Sequence, residues 1–367
     1  MSKIKQLQQK SIKGKPLTFE EAVWLIKRPE HETLELIYAA NGIREHFKGN
    51  KVKLCSIVNA KSGRCSENCM FCSQSAHHKT KVDVYPLISS GEMYKSAKKA
   101  KLTGATCFGI VTSGKGIRSE KEIDDICDAV SKISKKLKMD HCTSVGMLTE
   151  AQLKRLKSAG LRKFHHNLEA AKSFFDKVCT THKFEDRVNT VKSAKKAGLR
   201  ICCGGIFGLG ETLEQRVELA FQIKELDPES VPINILNPVK GTRAEKLSIM
   251  EPLQVLRLLA TYRFILPDKD IGIFGGRELS LGHLQPLMFI AGANMTLLGD
   301  YLTTAGNTPE EDIKMITDLG LEVLDEPATK SRHEVGTGCR GSVGMEPRRL
   351  ASGSSEPATK RRGSYKG

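Results

Sequence analysis

Three cysteines, Cys65, Cys69 and Cys72, fall within eight residues, with Phe71 directly before the last of them. Thiols gathered on one short loop can converge on a single metal group, and soft sulfur ligands select iron–sulfur clusters or zinc. A structural zinc takes four protein ligands, usually two pairs of Cys or His at a set distance. No closing pair follows this motif. A cluster held by three cysteines leaves one iron open to a small molecule, which makes it a reagent rather than a staple. The competing readings are a zinc knuckle completed by His77 or His78, and a loop that is merely thiol-rich.

Such a loop needs a scaffold, and the 367 residues suffice for two domains or for one α/β barrel. Short β-rich runs recur at 53–59, 106–112, 141–146, 163–167, 200–207, 231–236, 271–274 and 295–298. Helical patterns lie between them near 92–102, 119–137, 149–159, 185–197, 212–225 and 252–265. Strands alternating with helices argue for a parallel sheet, and eight such units predict an α/β, TIM-type (β/α)8 barrel over 51–324. A doubly wound open sheet is the competitor. Residues 1–50 predict a helical extension, with Thr18 capping one amphipathic helix and a second over 33–47. Residues 325–367 are rich in Gly, Ser, Pro, Lys and Arg and repeat Glu-Pro-Ala-Thr-Lys at 326 and 356. That composition predicts a disordered basic tail, with Cys339 irrelevant to catalysis.

Composition excludes several classes. No apolar run approaches the roughly 20 residues that cross a bilayer, so no membrane partner is expected. Residues 1–15 are Lys-rich without an apolar stretch, which is not a secretory signal. Eleven cysteines without such a signal predict a reducing, cytoplasmic setting with metal or redox duty. The formal charge of +16 invites a nucleic-acid reading, but the cations are spread along helices such as 95–101 and 192–198. No nucleic-acid partner is expected.

A barrel carries its chemistry at the C-terminal ends of its strands. The thiol motif follows the first strand. Cys107, Cys142 and Cys202 sit in the second, third and fifth; each alone reads as a buried cysteine, while together they can converge inside the barrel. Polar groups of Phe164-His165-His166-Asn167-Leu168-Glu169, ending the fourth strand, suit hydrogen bonds to a ribose or a urea. His165 and His166 read equally as strand-end caps. Gly204–Thr212 is glycine-rich but lacks the Gly-Lys-Ser/Thr ending of a phosphate loop.

The spacing Cys-x3-Cys-x2-Cys with its aromatic resembles the radical S-adenosylmethionine (SAM) superfamily. The flanks Asn59-Ala60-Lys61-Ser62-Gly63 and Cys72-Ser73-Gln74-Ser75-Ala76 narrow the resemblance to the biotin synthase family, and it runs from about residue 32 to about residue 321. The resemblance implies a 4Fe–4S cluster on Cys65, Cys69 and Cys72. It implies a 2Fe–2S cluster on Cys107, Cys142, Cys202 and Arg277, an acid-paired buried arginine being the plain alternative for Arg277. It implies SAM contacts at Asn167, Glu169 and Arg187, and substrate contacts at Asn167, Asn234, Thr303 and Thr304. Cys55, Cys127, Cys179 and Cys203 are left structural, Cys203 pointing away from Cys202 because strand side chains alternate.

Here His165, Glu169 and Ala170-Ala171 stand where the family has Asn, Asp and Thr-Ser, and Arg243 where it has Pro. The implied activity is radical insertion of sulfur into dethiobiotin, with sulfur taken from the inner cluster. A flavodoxin or ferredoxin donor and a homodimer are implied as partners. The alternatives are another radical SAM enzyme and, from another class, a zinc- or RNA-binding protein. A lipoyl synthase would add a second cysteine cluster near its N-terminus, and none is present.

Overall fold

A computed structural model describes residues 1–304 and 306–324, all within the unit Met1–Pro327. The tail expected over 325–367 lies outside the described residues.

The strands are β1 Lys51–Lys61, β2 Cys107–Thr112, β3 Asp140–Ser144, β4 Lys163–His165, β5 Arg200–Cys202, β6 Gly205–Phe207, β7 Ser230–Ile235, β8 Asp270–Ile273, β9 Met295–Leu297 and β10 Glu322–Val323. Every ladder between them is parallel, in the order β9-β1-β2-β3-β4-β5-β7-β8, with β6 alongside β7. The two ends meet where Asn294 N, just before β9, donates to Ile271 O of β8 at 2.9 Å. The sheet is thus curled into the expected barrel. β10 pairs outside the ring with the start of β1. Helices cover the outer face, so β2 and β7 are buried along nearly their whole length, as parallel strands require.

Local chemistry explains the element ends. Four of the barrel's helices start at a capping box built on Ser89, Thr149, Thr212 or Thr308, each with Glu or Gln three residues on. The run expected as one strand over 200–207 is two. Pro232 of the neighbouring β7 has no N–H to give, so the ladder lapses between Cys202↔Ser230 and Gly205↔Ile233. At that gap a Cβ on Gly204 would strike the Pro232 carbonyl, so only glycine fits.

Two ten-residue helices lie outside the individual helices expected from the sequence. The first, Lys3–Ile12, falls within the helical extension expected over 1–50 and docks through buried Ile4 and Leu7 and a hydrogen bond from Ser11 Oγ to Phe264 O. The helix Pro309–Asp318 follows the last barrel strand. Both are amphipathic, with Ile4 and Leu7 on the buried face of the first and Ile313 and Ile316 on that of the second. Among the described residues no helix is long and apolar enough to cross a membrane.

At the foot of the barrel the first residues of several strands form a buried ionic network. Lys163 reaches Asp140 and Glu229, each at 3.3 Å, and Lys53 reaches Asp140 at 3.1 Å. Arg200 pairs with the same two carboxylates. This plug sits directly beneath the inner cysteines.

Candidate functional site

The loop after β1 holds the first thiol group. Cys65 N donates to Gln74 O, Ala76 N donates back to Cys65 O, and Cys72 N donates to Cys69 O. The histidines that were candidates to complete a zinc knuckle each engage a loop carbonyl through one ring nitrogen. His77 Nε2 is 3.0 Å from Ser66 O and His78 Nδ1 is 2.8 Å from Cys72 O, so both brace loop carbonyls. Arg243 also clamps the loop, donating to the carbonyls of Asn68 and Val178.

Beneath the loop a polar chain connects Cys69 to the fourth strand. Arg187 Nη2 stands 4.0 Å from Cys69 Sγ, while Nη1 donates to Asn167 O at 3.0 Å and Glu169 Oε1 at 3.4 Å. Its Nε donates to His182 Nε2 at 3.0 Å. That donation puts the imidazole proton on Nδ1, facing the Glu67 carboxylate. Cys179 lies against Cys69 and 3.3 Å from His182 Nδ1. The Cys179 contact and then burial push the Cys69 thiol up, and the reciprocal contact pulls Cys179 down. Burial also pushes Cys72 up to about 11. Ligation by these thiols therefore requires displacing protons, which a metal does.

Among the described residues only Cys69, Cys179 and His182 bring three donor atoms within 4.8 Å of one another. Both ring nitrogens of His182 are already engaged, so this trio offers no ready third ligand. A tetrahedral zinc with bonds of about 2.3 Å would draw its sulfurs to within about 4 Å of each other. Cys65, Cys69 and Cys72 do not form such a set. Three separated sulfurs on one loop fit a cluster whose ligands sit on different irons.

The loop roofs a cavity of about 330 Å³ that descends into the barrel. Cys72, Asn167 and Glu169 border its upper part, and Cys107, Cys142 and Cys202 border it among the strands. Cys107 stands in register with Cys55, and Cys142 lies opposite Gly109 two residues further along β2. Interaction with Cys142 and then with Cys55 draws the Cys107 thiol down despite burial, while Cys55 and Cys142 are driven up. Burial works against a charged Lys163, yet facing Asp140, Cys107, Glu229 and Cys202 hold its ammonium well above the usual range. Cys203 belongs to the apolar core instead, in keeping with strand alternation.

The remaining candidates line the same cavity. Asn234 Oδ1 accepts from Gly275 N at 3.0 Å and its Nδ2 donates to Gly205 O at 3.2 Å. Asn167 Oδ1 accepts from Gly204 N at 3.0 Å and is 2.9 Å from His165 Nε2. Glu169 holds a left-handed backbone at φ 68°, pinned by Ile206 N donating to its carbonyl at 2.8 Å. Such strain in a non-glycine residue is characteristic of functional positions. Thr303 and Thr304 lie on the rim, with Ser73 Oγ 3.5 Å from Thr303 Oγ1.

Arg277, expected among the inner ligands, is held by acids and a threonine. Its Nη2 donates to Asp312 at 2.7 Å and Glu278 at 2.9 Å, and its Nη1 donates to Thr296 Oγ1 at 2.8 Å. Only Nε lacks a partner. The guanidinium is an acid-paired buried group, the plain alternative to ligation. Sequence reasoning also passed over Cys55, Cys179, Glu67 and His182. Nothing local marks them, since their meaning comes from strand register and from a loop 113 residues away in the case of Asn68 and Thr181.

Comparison with known proteins follows this geometry. Residues 60–223 match the Radical SAM superfamily, and residues 232–322 match the Biotin and Thiamin Synthesis associated domain. A biotin synthase of Geobacter sulfurreducens is 49% identical over 317 residues, covering 86% of this chain and 96% of its own. One of Citrifermentans bemidjiense is 48% identical over 321 residues, covering 88% and 98%. Among solved structures, methylornithine synthase (PylB) superposes with a TM-score of 0.76 at 20% identity, covering 87% of this chain and 97% of that one. HydG, a maturase of the [FeFe]-hydrogenase, gives 0.75 at 16% identity, covering 89% and 77%. At these identities the two structures speak to the fold alone.

Proposed function

The chain belongs to the biotin synthase family of the radical SAM superfamily, and from that premise we infer that it inserts sulfur into dethiobiotin to form biotin. Membership in the superfamily implies a 4Fe–4S cluster and SAM. In this reading Cys65, Cys69 and Cys72 hold the 4Fe–4S cluster, and Cys107, Cys142 and Cys202 hold a second, 2Fe–2S group. When bound, the outer cluster with SAM supplies the radical that removes hydrogen from an unactivated carbon, and the inner group supplies sulfur.

The chain's own groups position and enclose. Arg187, paired with Glu169, presents its cation beside Cys69, where a SAM carboxylate would be balanced. Asn167 offers its remaining amide N–H, and Glu169 a carboxylate acceptor, to a ribose. Asn234 is held by two backbone partners, so its amide has a fixed direction for a ureido ring. Thr303 and Thr304 offer hydroxyls to a carboxylate at the rim. The apolar walls exclude water from the reacting carbon.

The observation that supports this reading is one cavity bordered by Cys72 of the outer thiols and by the inner thiols, with Asn234 on its wall. The barrel 51–324 carries the activity and the helices of 1–50 buttress it. A flavodoxin or ferredoxin reduces the enzyme, two chains form a homodimer, and the setting is cytoplasmic. Anaerobically reconstituted protein given dethiobiotin, SAM and a low-potential reductant is expected to form biotin. Methionine release without biotin would show a different radical SAM enzyme.

A further inference from the structure

We propose that Cys55 is the fourth ligand of the inner site, which is therefore an all-cysteine site that Arg277 does not join. The proposal rests on the reading above that the inner thiols hold an iron–sulfur group. Cys55 of β1 stands in ladder register with Cys107 of β2 and borders the same cavity as Cys107, Cys142 and Cys202. Cys142 of β3 lies opposite Gly109, two residues along β2 from Cys107, with its Sγ 3.2 Å from where a Cβ on Gly109 would stand, so β1, β2 and β3 each bring a sulfur to the same cavity. Cys202 faces them from β5. Four thiols on one cavity make up the four ligands that iron–sulfur clusters take from proteins.

Arg277 is directed elsewhere. Met295 and Leu297 of β9 border the cavity, while Thr296 between them is turned to the other side of the strand. It is Thr296 that Arg277 reaches, together with Asp312 and Glu278. A protonated guanidinium also has no lone pair to offer a metal.

The test uses the full chain carrying Cys65→Ala, Cys69→Ala and Cys72→Ala, so that all bound iron and acid-labile sulfide report on the inner site. In that background Cys107→Ala must lose both, or the underlying reading fails on its own. Adding Cys55→Ala instead is expected to lose the iron and sulfide, while Cys55→Ser retains them with visible bands moved to shorter wavelength. Unchanged melting of the iron-free variants shows that each folds. Retention of iron with an unaltered spectrum in Cys55→Ala would overturn the proposal. So would a nitrogen coupling to the reduced cluster in pulsed EPR of protein labelled with 15N-arginine; the all-cysteine site gives none.

Discussion

The two thiol groups of this barrel are built in opposite ways. The outer one lies on a loop whose own backbone bonds, Cys65 to Gln74 and Ala76 and Cys72 to Cys69, fold three close-spaced cysteines around one point. Cys65 and Cys72 stay partly exposed there. The inner one is assembled from separate strands, with Cys55 in ladder register with Cys107, Cys142 two residues further along opposite Gly109, and a buried ionic plug behind them. In the reading proposed above, a loop leaves an open side for SAM and for an electron donor, while strands leave only the cavity as an approach, which suits a group that must meet substrate and nothing else.

The largest effects come from separating the two. Cys69→Ala is expected to eliminate both methionine release and biotin formation, with loss of the outer iron only. Residual SAM cleavage in that variant would mean that the loop is not where the radical arises. Cys107→Ala should keep SAM cleavage and abolish biotin; an unchanged biotin yield would remove the inner site from the mechanism.

Next in size is the plug. Breaking a buried ion pair by removing one partner costs about 3–5 kcal/mol, so Asp140→Asn should lower the denaturant midpoint by that equivalent. Burial alone would raise the Asp140 carboxyl, but Lys163, Lys53 and Arg200 hold it far below the usual range. A depressed carboxylate stabilises fully above its unfolded pKa of about 3.9 and is lost as pH falls toward the folded value. The wild-type melting temperature should therefore drop below about pH 4, more steeply than that of Asp140→Asn. Equal slopes would show that the network does not govern acid stability.

Two smaller changes sharpen the contrast. Arg187→Lys loses the fork that spans His182, Asn167 and Glu169, and should weaken SAM binding by about 2 kcal/mol, roughly 30-fold, with inner iron intact. Titration of SAM into the reconstituted variant measures it, and wild-type affinity would place the SAM carboxylate elsewhere. Thr18→Ala, which removes a helix cap far from both sites, should cost about 1 kcal/mol and leave both iron counts unchanged.

The same contrast explains what the sequence disclosed. The outer thiols were legible because their chemistry is local, written in a spacing of three and two residues. The barrel was legible because each strand and helix carries its own period and cap, and the interruption at Gly204 escaped only because Pro232 acts across a ladder. Cys55 was not legible, since a lone strand cysteine gains meaning only from the register that sets it beside Cys107. Cys179, His182 and Glu67 likewise meet only in the folded chain. Arg277 sits in a recognisable Gly-Gly-Arg-Glu run, but its direction is decided by Asp312 on the helix Pro309–Asp318, 35 residues further along the chain.

The central claim, that the inner thiols hold the sulfur delivered to substrate, is tested most directly by isotope. Protein reconstituted with iron and 34S-sulfide, then stripped of free sulfide, is given dethiobiotin, SAM and reductant, and its biotin is weighed by mass spectrometry. Biotin heavier by the labelled sulfur is the predicted result; biotin carrying only natural-abundance sulfur would contradict it.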